Sequence, residues 1–283
     1  MKKNYFCGWY FKCQSETHTL ALIPAFHMEG GRCSCSIQVI TESGAWNIPF
    51  GIQDFHKKKG KLYVRIGENI FCEKGFKVNI HTEELDICGS VKFGPFKPLK
   101  YDIMGPFCCV PSMECRHSVY SMEHRVNGKI RMNGEEISFR KAHGYMEGDR
   151  GTSFPSSYVW TQCHFREGSL MLSVAEIPLG SMQFTGIIAV VFWKGKEYRF
   201  ATYLGAKVVK MEDGEVCVSQ GSSMLRAKLL EKEGRSLLAP SGGAMNRIIR
   251  ENPSCRAFYS FEKDGQILFA FRTDKAAFEY EYC

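Results

Sequence analysis

Glu147 and Asp149 stand one glycine apart in the segment Gly144-Tyr145-Met146-Glu147-Gly148-Asp149-Arg150-Gly151. Two carboxyl groups this close can hold one proton between them, because ionising the first raises the pKa of the second. A general acid working near neutrality needs that arrangement, with Glu147 the first choice for proton donor and Asp149 its modulator. The structural alternative is an ordinary ion pair of Asp149 with Arg150, with Gly148 and Gly151 shaping a tight acidic turn. Downstream, Trp160 and Gln162 share a parity and so face the same side of a strand. An indole face can stabilise a developing cation and a carboxamide can orient a substrate oxygen; the competing role for such a tryptophan is core packing. Trp9 and Tyr10 offer the same choice near the amino terminus. His143, like His117 and His124, precedes the acidic segment and reaches it only if the sheet folds back, where one of them could serve as base. The spacing of His117 and His124 places them on opposite faces of a continuous strand.

Other chemistries lack their residues. The chain has no GxSxG elbow, P-loop, HExxH, or GxGxxG opening a helix. Cys33 with Cys35, and Cys108-Cys109 with Cys115 and His117, raise the question of zinc, but no CxxC pair supplies a compact ligand set. Neither metal nor cofactor is expected. The 13 cysteines are odd in number, and without an export signal they read as free thiols in a reducing cytoplasm. The net charge of +7, from 37 basic and 30 acidic residues, is spread along the chain, and its one dense run is Lys57-Lys58-Lys59-Gly60-Lys61. Without interleaved aromatics this is a solvated hairpin tip rather than a nucleic-acid surface. The weak positive field is compatible with peripheral contact at an anionic membrane.

The elements that must position these residues are strands. Short runs alternating apolar and polar residues recur between glycine-rich turns, and sustained helical periodicity is missing. Examples are residues 20–26, 62–66, 159–165, 170–177, 198–203, 257–261 and 267–271. Asn127-Gly128 and Asn133-Gly134 each have the composition of a type I′ hairpin turn. Further tips are expected at Glu167-Gly168, Lys194-Gly195, Asp213-Gly214 and Asp264-Gly265. Gly186–Trp193 is the longest apolar run, far short of the ~20 residues a membrane helix needs, and reads as a buried strand. At 283 residues the chain can hold two cores. The glycine and proline content of residues 105–112 marks the boundary, giving units 1–112 and 113–283, with the division anywhere from 105 to 144.

Residues 144–162, GYMEGDRGTSFPSSYVWTQ, resemble the signature of the tocopherol cyclase-like family. GWYFK at 8–12, ALIPAFH at 21–27, AEIPLG at 175–180, YRFATYLGAKV at 198–208 and GGAMNRIIRE at 242–251 are similar to further family blocks in the same order. Arg150 and His164 depart from the pattern, where relatives carry tryptophan and asparagine. The resemblance implies an all-β fold of two lipocalin-like (calycin) barrel units. It also implies cofactor-free cyclisation or isomerisation of a prenylated quinol or related hydrophobic substrate. In such a reaction an acid protonates a trisubstituted alkene and a phenol oxygen captures the tertiary cation. Glu147 and Asp149 would then be catalytic, and Trp160, Gln162, Trp9, Tyr10 and His143 would line the substrate site. A lipocalin-like barrel that only binds a hydrophobic ligand is the alternative, and a partner-binding module without a cavity is the third reading. An enzyme turns one carboxylate toward a cavity, whereas a carrier leaves both in water.

Overall fold

The computed structural model describes residues 4–110, 113–179, 182–231 and 234–282. Lys2, Lys3, Pro111 and Ser112 of the expected boundary, Gly180 and Cys283 lie outside them. The described chain is almost all β, in two large antiparallel sheets, one nearly closed into a barrel. The first sheet is built from β1 (Tyr5–Gln14), β2 (Thr19–Glu29), β3 (Arg32–Thr41), β4 (Ala45–Phe50), β5 (Phe55–Lys57), β6 (Tyr63–Ile66), β7 (Asn69–Cys72), β8 (Gly75–His81), β9 (Asp86–Phe93), β10 (Cys115–Met132) and β11 (Glu135–Gly151). Its spatial order is β4-β3-β2-β1-β11-β10-β9-β8-β7-β6-β5, so the first strand is inserted beside the last. The second sheet contains β12 (Tyr158–Phe165), β13 (Gly168–Leu179), β14 (Met182–Trp193), β15 (Lys196–Ala201), β16 (Lys207–Glu212), β17 (Glu215–Gln220) and β18 (Ser223–Leu229). It is completed by β19 (Arg235–Ser241), β20 (Ala244–Lys263) and β21 (Gln266–Glu281). Its order is β15-β14-β13-β12-β21-β20-β18-β17-β16, with β19 pairing β20 off this path.

Two compact units result, and they interleave along the chain. One comprises Met1–Leu99, His117–Ser153 and Leu237–Arg247; the other comprises Lys100–Arg116, Phe154–Ser236 and Ile248–Cys283. The strands that follow residue 113 are therefore shared between both. Each unit has its own core. In the first, Phe11, Leu22, Ile37, Phe71 and Met146 are sealed from solvent; in the second, Leu172, Val191, Phe200, Tyr259 and Phe261 are. Residues 187, 189, 190 and 191 of β14 are all buried, as the apolar run required.

Turn chemistry explains most of the hairpins. Asn133-Gly134, Lys194-Gly195, Asp213-Gly214 and Asp264-Gly265 carry positive φ at both positions, the type I′ geometry that matches the twist of the flanking strands. The tip expected at Glu167-Gly168 lies one residue earlier, since Phe165 pairs with Gly168 across Arg166-Glu167. Asn127-Gly128 is not a turn. It lies inside β10, and Gly128, at φ 152°, allows close approach of β9: an added Cβ would stand 2.3 Å from the Ser90 carbonyl oxygen. The acidic segment is likewise strand rather than turn, and it belongs to β11.

Gly128→Ala tests this packing against Gly134→Ala. Both positions have positive φ, but only Gly128 lacks room for a methyl group. Gly134→Ala should cost on the order of 1 kcal/mol from backbone strain. Gly128→Ala should cost clearly more, because the clash is with backbone that cannot step aside. Equal urea midpoints for the two variants would contradict the assignment.

Candidate functional site

Strand alternation brings the two carboxylates together. Tyr145, Glu147 and Asp149 occupy every second position of β11 and so project from one face, while Met146 on the other face enters the core of the first unit. The carboxylates thus face away from that core. Strand β1 lies alongside with Tyr10 opposite Glu147, Lys12 opposite Tyr145 and Gln14 opposite His143. This face is buried and polar: Tyr10, Lys12, Gln14, Tyr145 and Glu147 are all sealed from solvent.

His117, from β10, completes the cluster. Its Nδ1 lies 2.9 Å from Asp149 Oδ1 and its Nε2 lies 3.2 Å from Glu147 Oε2. The Tyr145 hydroxyl donates to the same Glu147 Oε2 at 2.5 Å. Burial by itself would lower the His117 pKa, but the charges of Glu147 and Asp149 and the hydrogen bonds to them hold it well above the ordinary histidine value. The raised pKa favours the doubly protonated imidazole, which is hydrogen-bonded to Asp149 through Nδ1 and ion-paired with Glu147 through Nε2. Burial, then the adjacent Glu147 charge, pushes the Tyr145 phenol well above its usual range.

A one-residue irregularity makes the cluster. Strict alternation outward from the Asn133-Gly134 turn would put Glu147 and Asp149 on the face opposite His117. Lys141, within β11, adopts φ 50°, its N–H bonds Asn127 Oδ1 at 2.8 Å, and its carbonyl accepts from Arg125 at 2.9 Å. This is a bulge, and it resets the parity of everything after it. Beyond it the His124 ring occupies the space where a Gly144 Cβ would lie, and the Tyr120 ring approaches Gly148.

The other expected residues are placed as follows. Trp9 belongs to the core face of β1, opposite Gly148, with the Lys57 ammonium 4.8 Å from its ring centroid; alternation separates it from the carboxylates. Tyr10, its neighbour, is on the carboxylate face. His143 shares that face, but its side chain is 41% exposed and its Nδ1 lies 3.3 Å from Glu123 rather than at the cluster. His124 is structural: it packs between Phe93 and Phe96 with centroids at 4.5 and 4.7 Å, and burial lowers its pKa to about 4. Trp160 and Gln162 lie in the second unit. They share one buried face of β12, opposite the face of Val159 and Cys163, which enter that unit's core. His117 was one of three histidines weighed from the sequence as a possible base, with nothing to choose it over His124 and His143; Tyr145 and Lys12 were not singled out. Tyr145 was accessible through its parity with Glu147; His117 and Lys12 depend on strand pairings with no local signal.

The donor atoms of His117, Glu147 and Asp149 lie close enough to one another to hold a metal ion. The two ring nitrogens, however, lie nearest different carboxylates, and one ion could take only one of them. The set fits a held proton better than a metal.

No protein-family model matches the chain, and no curated protein sequence matches it. Likeness to solved structures is clear. A protein assigned as AttH from Nitrosomonas europaea superposes with a TM-score of 0.57 at 12% identity, covering 99% of this chain and 93% of that one. Kievitone hydratase from Nectria haematococca gives 0.55 at 8% identity, covering 99% and 89%. CghA gives 0.61 at 9% identity, covering 99% and 88%. At these identities the fold alone is shared: the double lipocalin-like β architecture.

A prediction follows from the His117 geometry. Its folded-state pKa is raised, so the stabilisation it provides is fully present below the unfolded value of about 6.5. That stabilisation is lost as pH rises through the folded value. The stability difference between the parent and His117→Gln should be largest in mild acid and shrink at alkaline pH, and NMR titration should show His117 protonated well past 6.5. A ring titrating at or below 6.5 would refute the arrangement.

Proposed function

We propose that the protein is an enzyme that rearranges a hydrophobic small molecule by acid–base catalysis without a cofactor, using the proton held among His117, Glu147 and Asp149. The observation that carries this reading is the imidazole held between two carboxylates on a buried face, with Tyr145 bonded to one of them. Glu147 is buried rather than in water, which favours an enzyme over a carrier. The folds it resembles include one named for hydration and one solved with Sch210972 bound, which support small-molecule chemistry. A hydratase adds water across a double bond, and that too turns on placing a proton.

The finer form of the proposal is ring closure of a prenylated quinol. The cluster delivers its proton to one alkene carbon, through Glu147 recharged by His117. The phenol oxygen then bonds to the tertiary cation as its O–H bond breaks. The phenolic proton passes to Glu147 and on to His117, so the product is an isomer of the substrate and the enzyme is reset. Tyr10, beside Glu147, supplies an aromatic face to the cationic stage. Trp160 and Gln162 keep their proposed substrate-binding roles. Peripheral contact with a membrane, where such substrates dissolve, belongs to the same proposal.

One observation favours a non-catalytic binder. The second unit has an open pocket of about 570 Å³ lined by Phe165, Phe269, Phe271 and Arg272 among others. A lipocalin-like unit could hold an apolar ligand there without acting on it.

Turnover of a prenylated quinol to its chromanol, followed by mass spectrometry, separates the two. Glu147→Gln and His117→Gln should each fold and lose activity on the order of 100- to 10,000-fold. Asp149→Asn should lose less. Removing its charge should also lower the His117 pKa, so the alkaline limb of its activity profile should move to lower pH. Parent-like rates in both of the first two variants would refute the acid–base site. Binding without conversion by the parent would favour the carrier.

A further inference from the structure

Strands β12 and β21 are paired from Tyr158 opposite Glu281 to Gln162 opposite Ala277, and there the pairing ends. Both strands continue beyond that point, β12 forward to Phe165 and β21 back to Gln266. A bulge lies in β21 at this place. From Cys255 to Ala257 β20 advances two residues while their partners, Ala276 and Thr273, are three apart, so β21 carries one extra residue. The extra residue changes parity: Ala276 and Phe278 meet the core from even positions, Phe269 and Phe271 from odd ones. Where the two strands part, the second unit has its open pocket of about 570 Å³, within the ~300–1,000 Å³ of small-molecule sites.

The floor of this pocket is aromatic. Phe165 stands 4.9 Å, centroid to centroid, from both Phe269 and Phe271, and those two are 5.6 Å apart. Phe269 continues to Phe261 and Phe271 to Tyr259, so the floor is continuous with the core of the second unit. Phe165 and Phe271 are only half-buried, which leaves apolar surface for an occupant to cover. The charged side chains of the lining are Arg166, Glu167 and Arg272. Glu167 is engaged: it lies 3.5 Å from the Lys194 ammonium and accepts from the Trp193 indole at 3.2 Å. Both arginines are exposed, and among the described residues neither guanidinium has a hydrogen-bond or ion-pair partner. Two arginines against one glutamate give the lining a formal charge of +1, which matches a monoanion.

We propose that this pocket is a separate ligand site for an apolar molecule ending in a carboxylate, with the apolar part on Phe165, Phe269 and Phe271 and the carboxylate on Arg166 and Arg272. A guanidinium meets a carboxylate with two parallel N–H donors, so it orients the head group as well as attracting it. The aromatic floor accepts any apolar chain, and selectivity therefore lies in the head. The site is built from residues of the second unit alone, and it holds whether or not the His117 cluster is catalytic.

The test uses cis-parinaric acid, a fluorescent long-chain polyene acid, with its methyl ester as the neutral control. The full chain should bind the acid about ten-fold or more tightly than the ester at neutral pH. Palmitic acid should displace it, and hexadecanol and hexadecyl phosphate should do so only at higher concentration. Replacing both arginines, Arg166→Gln with Arg272→Gln, should bring the acid down to the affinity of the ester and leave the ester unchanged. Both side chains are exposed, so this variant should fold. Phe165→Ala should weaken acid and ester alike. No binding, equal binding of acid and ester, an unchanged preference in the double variant, or parent-like affinities in Phe165→Ala would overturn the site, and stronger displacement by hexadecyl phosphate would overturn the carboxylate assignment. Glu147→Gln should bind the acid as the parent does, so loss of turnover there and loss of acid binding in the arginine variant report on two different sites.

Discussion

Strand β11 has to satisfy two incompatible surroundings with one run of residues. On one face Gly144, Met146 and Gly148 must fit against Phe11, Trp9 and the rings of Tyr120 and His124; on the other Tyr145, Glu147 and Asp149 must find polar partners. Period-two alternation makes this feasible, and the bulge at Lys141 decides which face each residue takes. Without the extra residue, the Tyr145, Glu147 and Asp149 positions would turn into the hydrophobic core and Met146 would turn out of it. Burial of unpaired carboxylates costs several kcal/mol per charge, so the fold and the site depend on the same local distortion.

The cluster is poorly explained as a source of stability. A buried ion pair roughly breaks even against apolar residues of the same size, because desolvation offsets the mutual attraction. Here the surroundings impose more than pairing. One imidazole is hydrogen-bonded to one carboxylate and lies 3.2 Å from another, that second carboxylate is also bonded by a phenol, and a buried lysine stands across the neighbouring strand. Such a network fixes where a proton resides and in which direction it can leave. Perturbed groups of this kind gather where chemistry is done.

Much of the fold was legible in the sequence because its determinants are local. Type I′ turns need two consecutive residues with positive φ, and Asn133-Gly134, Asp213-Gly214 and Asp264-Gly265 declare them. Asn127-Gly128 misled for an instructive reason: a glycine required by close backbone approach and one required by a turn look alike in sequence. The pair Glu147 and Asp149 was legible, since chemistry and spacing coincide. Its partners were not. His117 reaches it through a hairpin whose parity is shifted by Lys141, a residue with no intrinsic preference for a bulge. Lys12 reaches it through the pairing of β1 with β11, more than a hundred residues away. Trp9 and Tyr10 were indistinguishable as pocket residues until that pairing placed Tyr10 opposite Glu147 and Trp9 opposite Gly148.

The location of the proton changes how the chemistry should be understood. Two adjacent carboxyls alone would have to share a proton, and would keep it near neutrality only while both were kept dry. A histidine between them holds the proton instead, with Glu147 3.2 Å from its Nε2 and accepting from Tyr145. Such a unit can give a proton and take one back within the same turnover, because loss from Glu147 is refilled from the imidazole without solvent. The proposed isomerisation needs no more than that, whereas the architecture shared with proteins at 8 to 12% identity fixes the fold alone. On that proposal, what distinguishes one substrate from another lies beside the proton, among residues such as Tyr10 that shape the face.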